Sequence, residues 1–180
     1  MPMDGSYYIT AWAFDDDGIH NISDDIQIFV GNINITVQIQ ASDDDAEEYK
    51  SDGSVDLTSA DLEFCVEEWI WPISDEDQWL GLRFQGIDIP EGAIVSSAYI
   101  ELTSDESQTS GASIIIYGQN EDSPLPFTNS NNDISTRSRT TSNVVWTPNG
   151  WSAEEVGADT QSDDLSAIVQ EIIDRPGWTP

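Results

Sequence analysis

The chain has 180 residues, 38% hydrophobic and 9% aromatic, which is enough to bury a core and too apolar for a wholly disordered polymer. Against 35 acidic residues stand 5 basic ones, a formal charge of -30. Such a field repels phosphate backbones and anionic lipid, and no apolar run is long enough to cross a bilayer, so nucleic-acid binding and membrane insertion are not expected.

The opening Met1-Pro2-Met3-Asp4-Gly5 has neither the basic nor the apolar stretch of a signal peptide, so a secretion address is expected upstream. Tyr7, Ile9, Ala11 and Ala13 alternate with Tyr8, Thr10, Trp12 and Phe14, a strand pattern of period two. Asp15-Asp16-Asp17-Gly18 reads as a turn, and Ile26, Ile28 and Val30 alternate again. Residues 1–31 are therefore expected to form the last hairpin of a truncated immunoglobulin-like domain, and the segment Gly5–Gly18 resembles the closing strands of bacterial Ig-like and PKD-like surface repeats.

Gly31-Asn32 is the expected joint, opening a second domain over 32–180. Ile33, Ile35, Val37 and Ile39 alternate with polar residues as a half-buried strand, followed by an acidic loop, Ser42–Glu48. Further strands are expected at Ser54–Leu57, Leu62–Val66, Trp79–Phe84, Ile94–Thr103, Ser113–Gly118 and Asn143–Trp146. Turn signals separate them at Ile89-Pro90-Glu91-Gly92 and Ser123-Pro124-Leu125-Pro126. One helix stands out: Leu165, Ile168, Val169, Ile172 and Ile173 form a single apolar stripe, capped by Ser162 with Asp163 and Asp164 and stopped by Arg175-Pro176-Gly177. Short strands with one C-terminal helix define an all-β chain, a sandwich or jelly roll.

A resemblance follows from segments taken in order: Asp44-Asp45-Ala46-Glu47-Glu48, Asp61-Leu62-Glu63, Gly81-Leu82-Arg83-Phe84, Ile89-Pro90-Glu91-Gly92-Ala93 and Ser97-Ala98-Tyr99-Ile100. It continues through Asp105-Glu106, Ile116-Tyr117-Gly118, Ser135–Thr140, Val145-Trp146-Thr147-Pro148 and Gln170–Trp178. Together they resemble the secreted DNRLRE-type jelly rolls that include carbohydrate-binding module family 96, over roughly residues 35–180. The resemblance implies a non-catalytic β-sandwich attached to polysaccharide-degrading enzymes or adhesive surface proteins. It also implies closing strands beyond Trp178, so the domain is expected to lack them and to leave open edges through which copies could self-associate.

Catalysis is not expected. His20 is the single histidine, and no Gly-x-Ser-x-Gly, phosphate-loop or dinucleotide motif occurs. Paired carboxylates could hydrolyse glycosides, but an abundance of acids is not a placement. Lone Cys65, followed by Val66, reads as a small buried hydrophobe. Calcium takes six to eight hard oxygens in irregular geometry, so the metal candidates are Asp44, Asp45, Glu47 and Glu48 with Asp105 and Glu106, and solvated turns are the plainer alternative. The Asp15–Gly18 turn is a weaker second candidate.

Glycan contact is expected from Trp69, Trp71 and Trp79, which flank an insertion-like loop at Glu67–Gln78, while Trp146, Trp151 and Trp178 read as structural. Arg83 is expected to pair with a carboxylate across a strand, away from the core face. Arg137 and Arg139 alternate on one face and could fork a uronate carboxylate, unless the chain's own acids neutralise them. Asn21-Ile22-Ser23 and Asn34-Ile35-Thr36 are glycosylation sequons. The leading expectation is an extracellular or cell-surface module that binds polysaccharide or cell-surface glycan with calcium as a structural ion. The alternative is a structural repeat of an adhesin or extracellular filament with no glycan ligand.

Overall fold

The computed structural model describes residues 33–179 apart from 60–61, 63–65, 68–75, 91, 106 and 110–112, with backbone alone at 66–67 and 76–77; before residue 33 it describes the backbone of four strands. Two compact units divide the chain, Met1–Thr36 and Val37–Pro180, a few residues beyond the joint expected at Gly31-Asn32.

In the first unit, β1 (Gly5–Ile9) pairs antiparallel with β4 (Ile26–Val30), and β2 (Trp12–Phe14) pairs antiparallel with β3 (His20–Ile22) inside it. The registers, Gly5↔Val30 and Trp12↔Ile22, make two separate two-stranded sheets, and their strands fall where the period-two pattern predicts them. The expected Asp15–Gly18 turn lies outside the described residues.

The second unit holds a four-stranded antiparallel sheet in the order β6-β5-β8-β7. Its strands are β5 (Asp45–Tyr49), β6 (Val55–Asp56), β7 (Val66–Glu67) and β8 (Glu76–Leu82). The acidic segment expected as a loop is thus an interior strand, with Glu47 and Glu48 only 2% and 1% exposed. Tertiary pairing overrides the poor strand propensity of Asp-Ala-Glu-Glu because β8 lies against it along five residues, Asp45↔Leu82 through Tyr49↔Gln78.

A separate ribbon pairs β9 (Ile114–Gln119) with β10 (Arg139–Trp146). Asn143 faces Tyr117 while Arg139 faces Gln119, so β10 carries two more residues than its partner over that stretch, a bulge. The Glu171 carboxylate accepts the Thr141 and Ser142 amides of the bulge at 2.8 Å each, and Thr140 Oγ1 accepts the Gly118 amide. The bonds from Ser142 and Thr141 hold the Glu171 carboxyl down at about 2. Helix α1 (Ser166–Ile173) packs on one face of this ribbon, burying Ile168 and Ile173. It comes close because position 118 is glycine: a methyl there would meet Ile168 and Ile172 at 2.7 Å.

The stripe behind the helix expectation is present, but the cap differs. Leu165 is the N-cap and makes no side-chain cap bond; the carboxylate of Asp164, rather than Ser162, receives the Ser166 amide, at 3.0 Å. Ser162 Oγ instead accepts the Ile100 amide at 3.1 Å.

Ile94–Thr103 is not a regular strand, because side chains take places in its ladder. The Leu165 and Ser162 amides donate to Ala98 and Ile100 carbonyls, whereas the Ala98 and Val95 amides go to Asp164 Oδ1 and Gln170 Oε1. At 33–40, residues 35, 37 and 39 are half-buried between exposed neighbours, as expected, yet form no ladder among the described residues. The chain is all-β, built of antiparallel sheets with one short helix among the described residues.

Candidate functional site

Residues that face each other across a strand pair share a face. The pairs Glu48↔Trp79 and Ala46↔Gly81 therefore put Glu48, Ala46, Trp79 and Gly81 on one side of the sheet, with Asp44 and Arg83 continuing the two rows. A loop, residues 120–138, covers that side. Phe127 is its plug: 6% exposed, it lies so close over Gly81 that a methyl there would meet its ring at 2.5 Å.

Polar lashings hold the loop at its other points. Glu48 accepts the Ile134 and Ser135 amides at 2.7 and 2.9 Å, and the Phe127 amide donates to the Asp43 carbonyl. Fully buried Asp44 pairs with Arg83, whose Nε donates to the Pro124 carbonyl, and Gln85 Nε2 donates to Asp44 as well. Burial alone would raise the Asp44 carboxyl, but the bonds from Gln85 and Arg83 and the Arg83 charge hold it below its ordinary value. Burial, with the Asp44 charge beside it, pushes Asp45 up.

The metal expectation does not fit this donor set. Asp44 is engaged by a guanidinium and an amide, Glu48 by two backbone amides, and Glu47 lies on the opposite face of β5 from both. Asp45 shares the Glu47 side of the strand; Asp105 is exposed, and Glu106 lies outside the described residues, as does Asp15–Gly18. Among the described residues no group of three His, Cys, Asp or Glu side chains is placed to hold a metal ion.

Where the loop meets the ribbon, the structure brings three predicted ligand residues to one groove of about 140 Å³. Trp79 lies in strand β8, as the expected strand from Trp79 has it, and the Arg139 guanidinium stands 4.4 Å from its ring centroid and 5.6 Å from that of Tyr117. Lys50 Nζ is 5.0 Å from the Trp79 ring. The indole is therefore no bare stacking platform; a cation already covers it.

Arg137 is corrected as a ligand fork. Its five N–H groups go to the Asp133 carbonyl and carboxylate, Gln119 Oε1, and the Leu125 and Pro126 carbonyls, and its guanidinium lies 4.3 Å over Phe127. No donor remains for a uronate. Arg139 is exposed and, among the described residues, donates a single hydrogen bond, to the Ser135 carbonyl.

Arg83 pairs with a carboxylate as expected, but under the loop rather than out in solvent. Trp69 and Trp71 lie outside the described residues. Trp146 is buried and stacked 6.4 Å from Trp151, and Trp178 Nε1 donates to the Ile89 carbonyl, as structural tryptophans should.

Sequence reasoning missed Tyr117 and Phe127. Alternation in β9 signals the first, placing Ile115 and Tyr117 on the side away from α1, where they are 53% and 38% exposed beside Val145. Phe127 follows Pro124-Leu125-Pro126 and carries no local signal of its burial.

No family model matches the chain, and neither a curated protein nor a solved structure shows a significant match to it.

Proposed function

We propose that the chain is a non-catalytic carbohydrate-binding-type module of a larger secreted or cell-surface protein, a jelly roll of the DNRLRE type. In this reading glycan lies across the groove of Trp79, Tyr117 and Arg139. One observation supports it most directly: in a chain of charge -30, an exposed guanidinium with N–H groups to offer stands between two aromatic rings. Ligand sites combine apolar walls with a few placed polar groups, and here Phe127 and Ile115 line the groove. Glycan would meet Tyr117 and the uncovered parts of the indole, with Arg139 reaching its hydroxyl or carboxylate oxygens.

A glycan array tests this with the unaltered chain and with Arg139→Ala and Tyr117→Ala, in calcium and in chelator. Binding that both substitutions abolish without changing thermal stability is the expected result. No binding to any glycan under either condition overturns it. The alternative, a structural repeat of an adhesin or filament, draws on Ile94 and Tyr99, 88% and 56% exposed on the irregular 94–103 segment. That reading expects concentration-dependent association in sedimentation and no glycan binding.

A further inference from the structure

The geometry points to Asn149-Gly150 as a self-modifying site, at which the Gly150 amide nitrogen converts Asn149 to isoaspartate and aspartate. It is the single Asn-Gly pair in the sequence. Glycine leaves its preceding peptide unhindered by a Cβ, so its nitrogen can approach the side-chain carbonyl behind it. Three features leave that approach open. Residues 147–150 carry no regular structure, and Asn149 is exposed. Among the described residues the Gly150 amide donates no hydrogen bond. The Asn149 amide has one contact, Nδ2 to Asp159 Oδ1 at 3.5 Å, the outer limit of a hydrogen bond.

Asp52-Gly53 shows the opposite arrangement. There the Gly53 amide donates to the Tyr49 carbonyl at 2.8 Å, and Asp52 Oδ1 accepts both the Ser54 amide and hydroxyl. Nucleophile and electrophile are both tied. Asn131 is likewise restrained through Nδ2 to the Asp52 carbonyl, and Asn143 lies within β10.

The step balances without any co-reactant but water. Deprotonated Gly150 N attacks Asn149 Cγ, a C–N bond forms, and the side-chain nitrogen leaves as ammonia. Water then opens the succinimide at either carbonyl, giving aspartate or isoaspartate. The product matters because the linker joins the two stacked tryptophans. β10 ends at Trp146, and Trp151 is pinned by two bonds with Gln108, its amide and carbonyl each at 2.9 Å. An isoaspartyl link adds one main-chain methylene between them, and either product sets a carboxylate beside Asp159.

The full chain is aged at mildly alkaline pH, folded and in urea, and followed by peptide mass mapping and by isoaspartyl methyltransferase labelling. Conversion at Asn149 is expected to run at least an order of magnitude faster than at Asn131 or Asn143. The folded rate should stay within a few-fold of the unfolded one, and tryptophan fluorescence should drift in step. Asn149→Gln and Gly150→Ala should each slow the labelling by an order of magnitude. Conversion at Asn149 no faster than at Asn143, or tenfold suppression by folding, overturns the proposal.

Discussion

Glu48 shows how an acidic residue can be structural without meeting a cation. Its carboxylate receives two backbone amides of the covering loop from a position 1% exposed to solvent. Both amides donate to one oxygen, Oε2, so Glu48→Gln keeps the volume and can keep both bonds but replaces a charged acceptor by a neutral one. The expected cost is roughly 1–3 kcal/mol in urea unfolding, against a change within about 0.5 kcal/mol for exposed Glu101→Gln.

Glu171 makes the matching prediction in pH. Its carboxyl is held at about 2 in the fold against 4.5 ordinarily, by the Ser142 and Thr141 amides. A depressed carboxylate contributes its stability above the ordinary value and loses it as pH falls toward the folded one. Acid denaturation followed between pH 4.5 and 2 should therefore be less steep in Glu171→Gln.

At the scale of elements, the strands with clear alternation were legible, and so was the helix stripe. Tyr7–Phe14, Trp79–Phe84, Ser113–Gly118 and Leu165–Ile173 each overlap an element of the expected type. What was not legible depends on partners distant in sequence. Asp45–Tyr49 looks like a loop until β8 lies beside it, and Ile94–Thr103 looks like a strand until Asp164, Ser162 and Gln170 take its amides. The candidate site divides in the same way. Trp79 and Arg139 were readable as ligand chemistry, whereas the saturation of Arg137 rests on carbonyls that no motif announces.

Helix placement has its own test. Gly118→Val sets branched carbons where Ile168 and Ile172 already pack, and overpacking of that kind costs about 1–3 kcal/mol. The melting temperature should fall, while Gly150→Ala, away from the helix, leaves it unchanged.

For the whole molecule, the uneven use of charge is the organising fact. Of its 5 basic residues, Arg83, Arg137 and Arg175 are drawn into ion pairs with Asp44, Asp133 and Asp122, whereas exposed Arg139 makes no ion pair among the described residues and one hydrogen bond. A binding face that depends on one such cation should weaken with salt, because exposed charges are screened beyond a Debye length of roughly 8 Å at physiological ionic strength. Titrating salt against glycan affinity is expected to show that loss in the unaltered chain, and an affinity that salt leaves unmoved would count against the Arg139 contact.

The lashed loop has a consequence for how the chain is cut. Thr128-Asn129-Ser130-Asn131-Asn132-Asp133 reads as an exposed polar tip, the kind of segment proteases enter first. Yet a protease must draw several residues out of place to seat a chain, and here that means releasing Phe127, the Glu48 bonds and the five-fold grip of Arg137 together. Nicking of this tip should therefore track global unfolding rather than local fraying, and Glu48→Gln should make it the first place to be severed.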